Sequence, residues 1–300
     1  MDNQESPSSE APDFPHSRNA HPLRAGTRAA VYLVVVFFLW NGLVPLATAW
    51  LRLLSSQEVA GLFQELFLFL TAFIPAAFLG FTERRPLADF GLPIGTRGLL
   101  QFFQGCLFGL AEISALIGLI SACGGYSFGR IALYGSSLWT WLVYWLIFFF
   151  LVGLAEEFAF RGYAQVTLAQ SIGFWPAAIV LSVAFGAIHL TNPGESWIGI
   201  IDIVGTGLLL ALTLKRTGNL WLAVGWHAAF DFGESFLLSV PDSGTLLPGH
   251  LSNSTLHGPA WLTGGTVGPE GSVFSFITMA AAALFIHKVF PARKSRSSPT

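Results

Sequence analysis

Residues 138–161 read LWTWLVYWLIFFFLVGLAEEFAFR, an apolar run that closes on Glu156, Glu157 and Arg161. A helix needs about 20 predominantly apolar residues to cross a hydrocarbon core of roughly 30 Å, and this run meets that length. Lipid offers no partner for an unpaired backbone amide, so an open strand is excluded there. The run also lacks period-two alternation, which leaves a membrane-spanning helix as its reading.

Similar runs recur along the chain, and the expected spans are 29–54, 59–81, 99–123, 138–161, 175–190, 198–214, 220–238 and 273–290. Asn192-Pro193 and Thr217-Gly218-Asn219 separate neighbours, while Pro45 and Pro75 are expected to kink their helices rather than end them. Of the 300 residues, 53% are hydrophobic and 11% charged, with a mean hydropathy of +0.62, outside the range of soluble domains. The expected fold is all-α: a polytopic membrane protein of about eight transmembrane helices.

Residues 1–27 are read as a disordered cytoplasmic tail, because Pro7, Pro12, Pro15 and Pro22 stand among polar residues with little apolar surface to bury. The first apolar run starts too far from Met1 for a cleaved signal peptide. Residues 28–290 form the helical domain, with a catalytic core at about 138–240, and 291–300 a second cytoplasmic tail. With eight spans and an inner amino terminus, 13 of the 15 Lys and Arg residues fall inside, leaving only Arg52 and Arg130 outside. The basic-free segment 240–272 then becomes an outer loop or cap. Cys106 and Cys123 support no disulfide framework, and a net charge of -2 without a phosphate-cradling glycine loop implies no nucleic-acid partner.

Ionisable residues at membrane depth are costly, which makes Glu156, Glu157, Arg161, His189, His227 and Asp231 the functional candidates. Glu58 and Glu65 lie toward the outer end of their span, Glu112 is isolated, and Asp202 and Glu234 are ambiguous. Glu157 and Arg161, four apart, share a helix face and can pair. Glu156 points about 100° away and can face a cavity. His227 and Asp231 also share a face. At ~1.5 Å per residue, Glu156 lies ~15 Å from the cytoplasmic end of its helix, His189 roughly 21 Å in from Trp175, and His227 roughly 10 Å in from Leu220. One layer holds all three, and a shared cavity open to the cytoplasm is expected.

Glu, His, His and Asp without a Ser or Cys nucleophile favour activated water. In one version Glu156 takes the proton, His189 positions the water and His227 donates to the oxyanion. In another, His189, His227 and Glu156 bind Zn²⁺. The His-Glu-x-x-His helix of soluble zinc proteases is absent.

Glu156-Glu157-x-x-x-Arg161, Phe185-x-x-x-His189 and His227-x-x-x-Asp231, in this order on successive hydrophobic helices, resemble the motif set of the CPBP family of CAAX prenyl proteases and bacteriocin-processing or immunity proteins. The resemblance runs from about Leu138 to Phe232, and Arg216 to Trp221 is similar to bacterial members. It implies a fold of about eight helices, a cytoplasm-facing cavity, and cleavage of membrane-bound or prenylated peptides in a bacterial cell membrane. By position, Glu156 would be the base and His189 its partner. Glu157 and Arg161 would brace the site, and His227 with position 231 would hold the oxyanion. Many relatives carry Asn where this chain has Asp231, which donates only when protonated and can instead orient His227 or bind metal. Two other readings are a proton- or ion-coupled transporter and a non-catalytic member of the same family.

Overall fold

The computed structural model describes residues 22–291. The tails expected at 1–21 and 292–300 lie outside the described residues, and residues 22–27, expected in the amino-terminal tail, already belong to the first helix. Eight helical spans follow among the described residues. The first runs from Pro22–Phe38 through a π-turn at Leu39–Leu43 into Val44–Arg52, the second is Gln57–Glu83, and the third is Thr96–Ala122. The fourth begins as Gly135–Ala159, passes a π-turn at Phe160–Ala164 and ends as Gln165–Ile172. Phe174–His189 is the fifth, Trp197–Thr217 the sixth, and the seventh is Trp221–Asp231 continued by the π-turn Phe232–Leu237. Val273–Val289 is the eighth. Five of these helices are long and apolar enough to cross a membrane, and the chain is an all-α polytopic membrane protein.

The local sequence explains the joints. Pro45 sits just past the first π-turn, where the wider ring accommodates its missing N–H, and the chain stays helical. Pro75 lies inside the unbroken second helix. Ser56, Ser196 and Ser272 cap the second, sixth and eighth helices by accepting from Val59, Gly199 and Phe274 amides. The fourth helix continues well past Arg161, and its π-turn centres on Gly162, whose ψ of -118° departs from helical geometry. This breaks the side-chain register beside the charged pair.

Two ends of the bundle differ in character. One carries the connection 84–95, the turn at Gly173 and the turn 218–220, tied together where Leu220 donates to the Gly91 carbonyl at 2.7 Å. Arg84, Arg85, Arg97, Lys215, Arg216 and Lys288 belong to this basic end. The opposite, loop end carries 123–134, 190–196 and 238–272. There Tyr126–Ser127 pairs antiparallel with Thr255–Leu256, and Asn192 Nδ2 donates to the Ser243 carbonyl at 2.9 Å.

Lipid is as apolar as leucine, so close packing must hold these helices together. The third and seventh helices approach closely through glycine. A Cβ on Gly105 would strike the Leu222 carbonyl, one on Gly109 the Trp226 carbonyl, and one on Gly225 the Phe102 carbonyl. That seam sets the position of His227, two residues beyond Gly225. Toward the basic end, buried Tyr32, Phe90, Phe158, Tyr163, Leu214 and Leu220 pack into one cluster.

Candidate active site

Glu157 and Arg161 come from adjacent turns of the fourth helix and are both fully buried, with Arg161 Nη1 donating to Glu157 Oε1 at 3.1 Å. The guanidinium also lies over the Phe185 ring, 4.4 Å from its centroid. The same Glu157 oxygen accepts from His227 Nδ1 at 3.0 Å. With Nδ1 committed as a donor, His227 turns Nε2 toward the cavity, 3.4 Å from Asp231 Oδ2 and 3.6 Å from Glu156 Oε2. Glu156 keeps partial access to the cavity while its neighbour keeps none. Five of the six residues singled out from sequence therefore form one connected group on the fourth and seventh helices.

His189 reaches the group differently. Its Nδ1 lies 2.8 Å from the Phe185 carbonyl, which can only accept, so Nδ1 carries the proton, and Nε2 has no hydrogen-bond partner among the described residues. Phe185 packs edge-on against both imidazoles, at 4.7 Å from His189 and 6.3 Å from His227 between ring centroids. Among the described residues His189 makes no hydrogen bond or ion pair with Glu156 or His227. Glu156 approaches His227 directly, at 3.6 Å, and shares the cavity wall with His189.

The zinc version does not fit this arrangement. Among the described residues, the set of three His, Cys, Asp or Glu ligand atoms lying within 4.8 Å of one another is Glu234, Asp242 and Glu270, not His189, His227 and Glu156.

Glu156, His189, His227 and Asp231 line one cavity of about 350 Å³, large enough for a small ligand or a short peptide segment. Its wall includes Asn192, Asp242, Ser243, Thr245, Leu247 and Glu270 of the loop end, and none of the basic-end connections. The buried aromatic cluster of Tyr32, Phe90, Phe158 and Tyr163 closes the other direction. Sequence reasoning placed the cavity mouth on the same side as the basic residues and the termini. The cavity lining reaches the loop end, where His189 closes the fifth helix and Asn192, Ser243 and Glu270 join the wall.

The carboxylates lining the cavity are Glu65, Glu112, Glu156, Asp202, Asp231, Asp242 and Glu270, and no Lys or Arg joins them among the described residues. Glu112 accepts from Trp226 Nε1 at 2.7 Å, and Asp202 from Ser275 Oγ at 2.5 Å. Glu112 was readable as a lone carboxylate in an apolar helix. Asp242 and Glu270 carried no such signal, since they lie in connecting segments that only the fold brings to the cavity. Burial pushes Asp242 up to about 6, and burial with Asp242 alongside pushes Glu270 up to about 7.

Fold and site together define a polytopic membrane protein with an acid–histidine centre inside its helix bundle. Residues 138–233, the segment that supplies this centre, match the family model of type II CAAX prenyl endopeptidase Rce1-like proteins, in agreement with the CAAX protease family that its motifs resemble. No curated protein and no solved structure matches the chain.

Proposed function

We propose that the chain is an intramembrane endopeptidase in which Glu156 activates water. The carboxylate takes a proton as the water oxygen bonds to a peptide carbonyl carbon. The C–N bond then breaks, and Glu156 returns the proton to the leaving amine. His189 orients the water through Nε2. His227 Nε2–H donates to the oxyanion, while Glu157 holds Nδ1 and Arg161 neutralises Glu157. Asp231 Oδ2 lies 3.4 Å from His227 Nε2, and a carboxylate there suits an orienting role better than that of an oxyanion donor. The observation carrying this reading is the 3.6 Å approach of Glu156 to His227 on a cavity wall at membrane depth. A purified Glu156→Gln variant that cleaved membrane peptides as fast as the parent would overturn it.

The cavity's position and charge support a substrate class within the family. The concentration of Lys and Arg supports a cytoplasmic basic end, and peptides then enter from the outer face. An acidic wall attracts a segment bearing Lys or Arg. Among the described residues it presents no Lys or Arg to the free carboxylate that a C-terminal CAAX sequence brings. The favoured substrate is thus an internal bond in an exported, membrane-associated peptide of the bacteriocin or signal type. Digesting matched peptides with and without basic residues, and with free or amidated C-termini, tests the preference. The acidic wall also favours a second reading, cation-coupled transport. Proton or cation flux into proteoliposomes in the absence of any peptide would support it.

A further inference from the structure

Outside the catalytic group, the seventh helix, the segment that follows it and the turn before the eighth helix bring three carboxylates together. Glu234 stands in the π-turn Phe232–Leu237, Asp242 in the connection beyond it, and Glu270 in the 3-10 turn Pro269–Gly271. One oxygen from each lies within 4.8 Å of the others. Glu234 is fully buried, and neither of its carboxylate oxygens has a hydrogen-bond partner among the described residues. Its carboxylate thus stands beside those of Asp242 and Glu270. None of the three forms an ion pair with Lys, Arg or His among the described residues, and 240–272 contains no Lys or Arg. Buried carboxylates at this density require a compensating positive charge or protonation.

The other two are held in place for a ligand. Asp242 Oδ2 accepts from Ser235 Oγ at 2.9 Å, and Glu270 Oε2 accepts from Ser243 N at 2.7 Å and Ser243 Oγ at 3.0 Å. Outer hydrogen bonds of this kind orient metal ligands. An all-oxygen set suits a hard cation. Ca²⁺ accepts irregular coordination at roughly 2.3–2.6 Å, so two oxygens on opposite sides of one ion stand up to about 5 Å apart. Mg²⁺ demands a tighter and more regular octahedron.

We propose that Glu234, Asp242 and Glu270 bind a Ca²⁺ ion that ties the two ends of the 238–272 loop together beside the cavity. The ion joins the end of the seventh helix to the start of the eighth, and so holds in place the loop residues that form the outer cavity wall. This inference is independent of the proposed peptidase chemistry, because it is read by ion binding and unfolding rather than by cleavage.

The test uses the full-length protein in detergent, stripped with chelator and titrated with CaCl2, with MgCl2 alongside. Equilibrium dialysis should give one Ca²⁺ per chain in the parent, and the thermal midpoint should rise with CaCl2 as ligand linkage requires. Glu234→Gln should weaken Ca²⁺ binding by more than about tenfold and remove the thermal shift. Asp242→Asn should do the same and serves if Glu234→Gln cannot be purified. A parent that binds no Ca²⁺ overturns the proposal and leaves shared protons as the compensation. Variants that bind as tightly as the parent overturn it equally.

Discussion

Glu157 Oε1 accepts from His227 Nδ1 at 3.0 Å, and this single buried oxygen also receives Arg161 Nη1 at 3.1 Å. The fourth and seventh helices are thereby joined through one carboxylate that has no exposure. Losing either cation's partner leaves a charge buried without compensation. Glu157→Ala and Arg161→Ala should each destabilise the protein by on the order of 3–5 kcal/mol, seen as lower membrane accumulation and an earlier thermal midpoint. Normal accumulation of Arg161→Ala would show that the pair is not what holds this junction.

Glu156 faces the cavity and makes no structural pair beyond His227. Glu156→Gln should reduce peptide cleavage by about 10²–10⁴-fold, the usual span for a general base, with accumulation and thermal midpoint unchanged. Both quantities are measured on one purified preparation.

The two histidines should separate by their anchoring. His227 is braced by Glu157, so His227→Ala should lose both cleavage and heat stability. Among the described residues, the hydrogen bond that His189 makes is to the Phe185 carbonyl of its own helix. His189→Ala should lose cleavage while unfolding at the parental temperature.

Asp231 sits four residues from His227, with Oδ2 3.4 Å from its Nε2. An amide at this place keeps an oxygen facing that nitrogen. Asp231→Asn should therefore retain cleavage within about tenfold, whereas Asp231→Ala should fall further. Equal losses in both variants would argue that the negative charge itself is required.

Cys123 caps the third helix at the loop end and is exposed, whereas Cys106 lies within that helix. With the basic end inside, a membrane-impermeant maleimide should label Cys123 on intact cells and spare Cys106. Labelling of Cys123 only after permeabilisation would place the cavity mouth on the cytoplasmic side.

Chemical composition alone decided the class of this molecule. Apolar runs such as 138–155 have one low-energy solution in lipid, a helix that satisfies its own backbone, and that holds whatever the neighbouring helices do. The charged residues inside those runs were equally legible, because each violates the same solvent rule. Glu157 and Arg161 needed only helical spacing to be paired, and the ion pair is present.

Tertiary structure decided everything that depends on which helices touch and at which depth. The approach of the third and seventh helices through Gly105, Gly109 and Gly225 places His227, which meets Glu156 at 3.6 Å, and Phe185 packs edge-on against both His189 and His227. The end at which the cavity opens, and the meeting of Glu234, Asp242 and Glu270 across a connection of more than thirty residues, likewise follow from packing. Helix formation is local and repeats every few residues, so a linear string encodes it directly. Contacts between distant segments arise only when all the spans pack at once, and no spacing along the chain reports them.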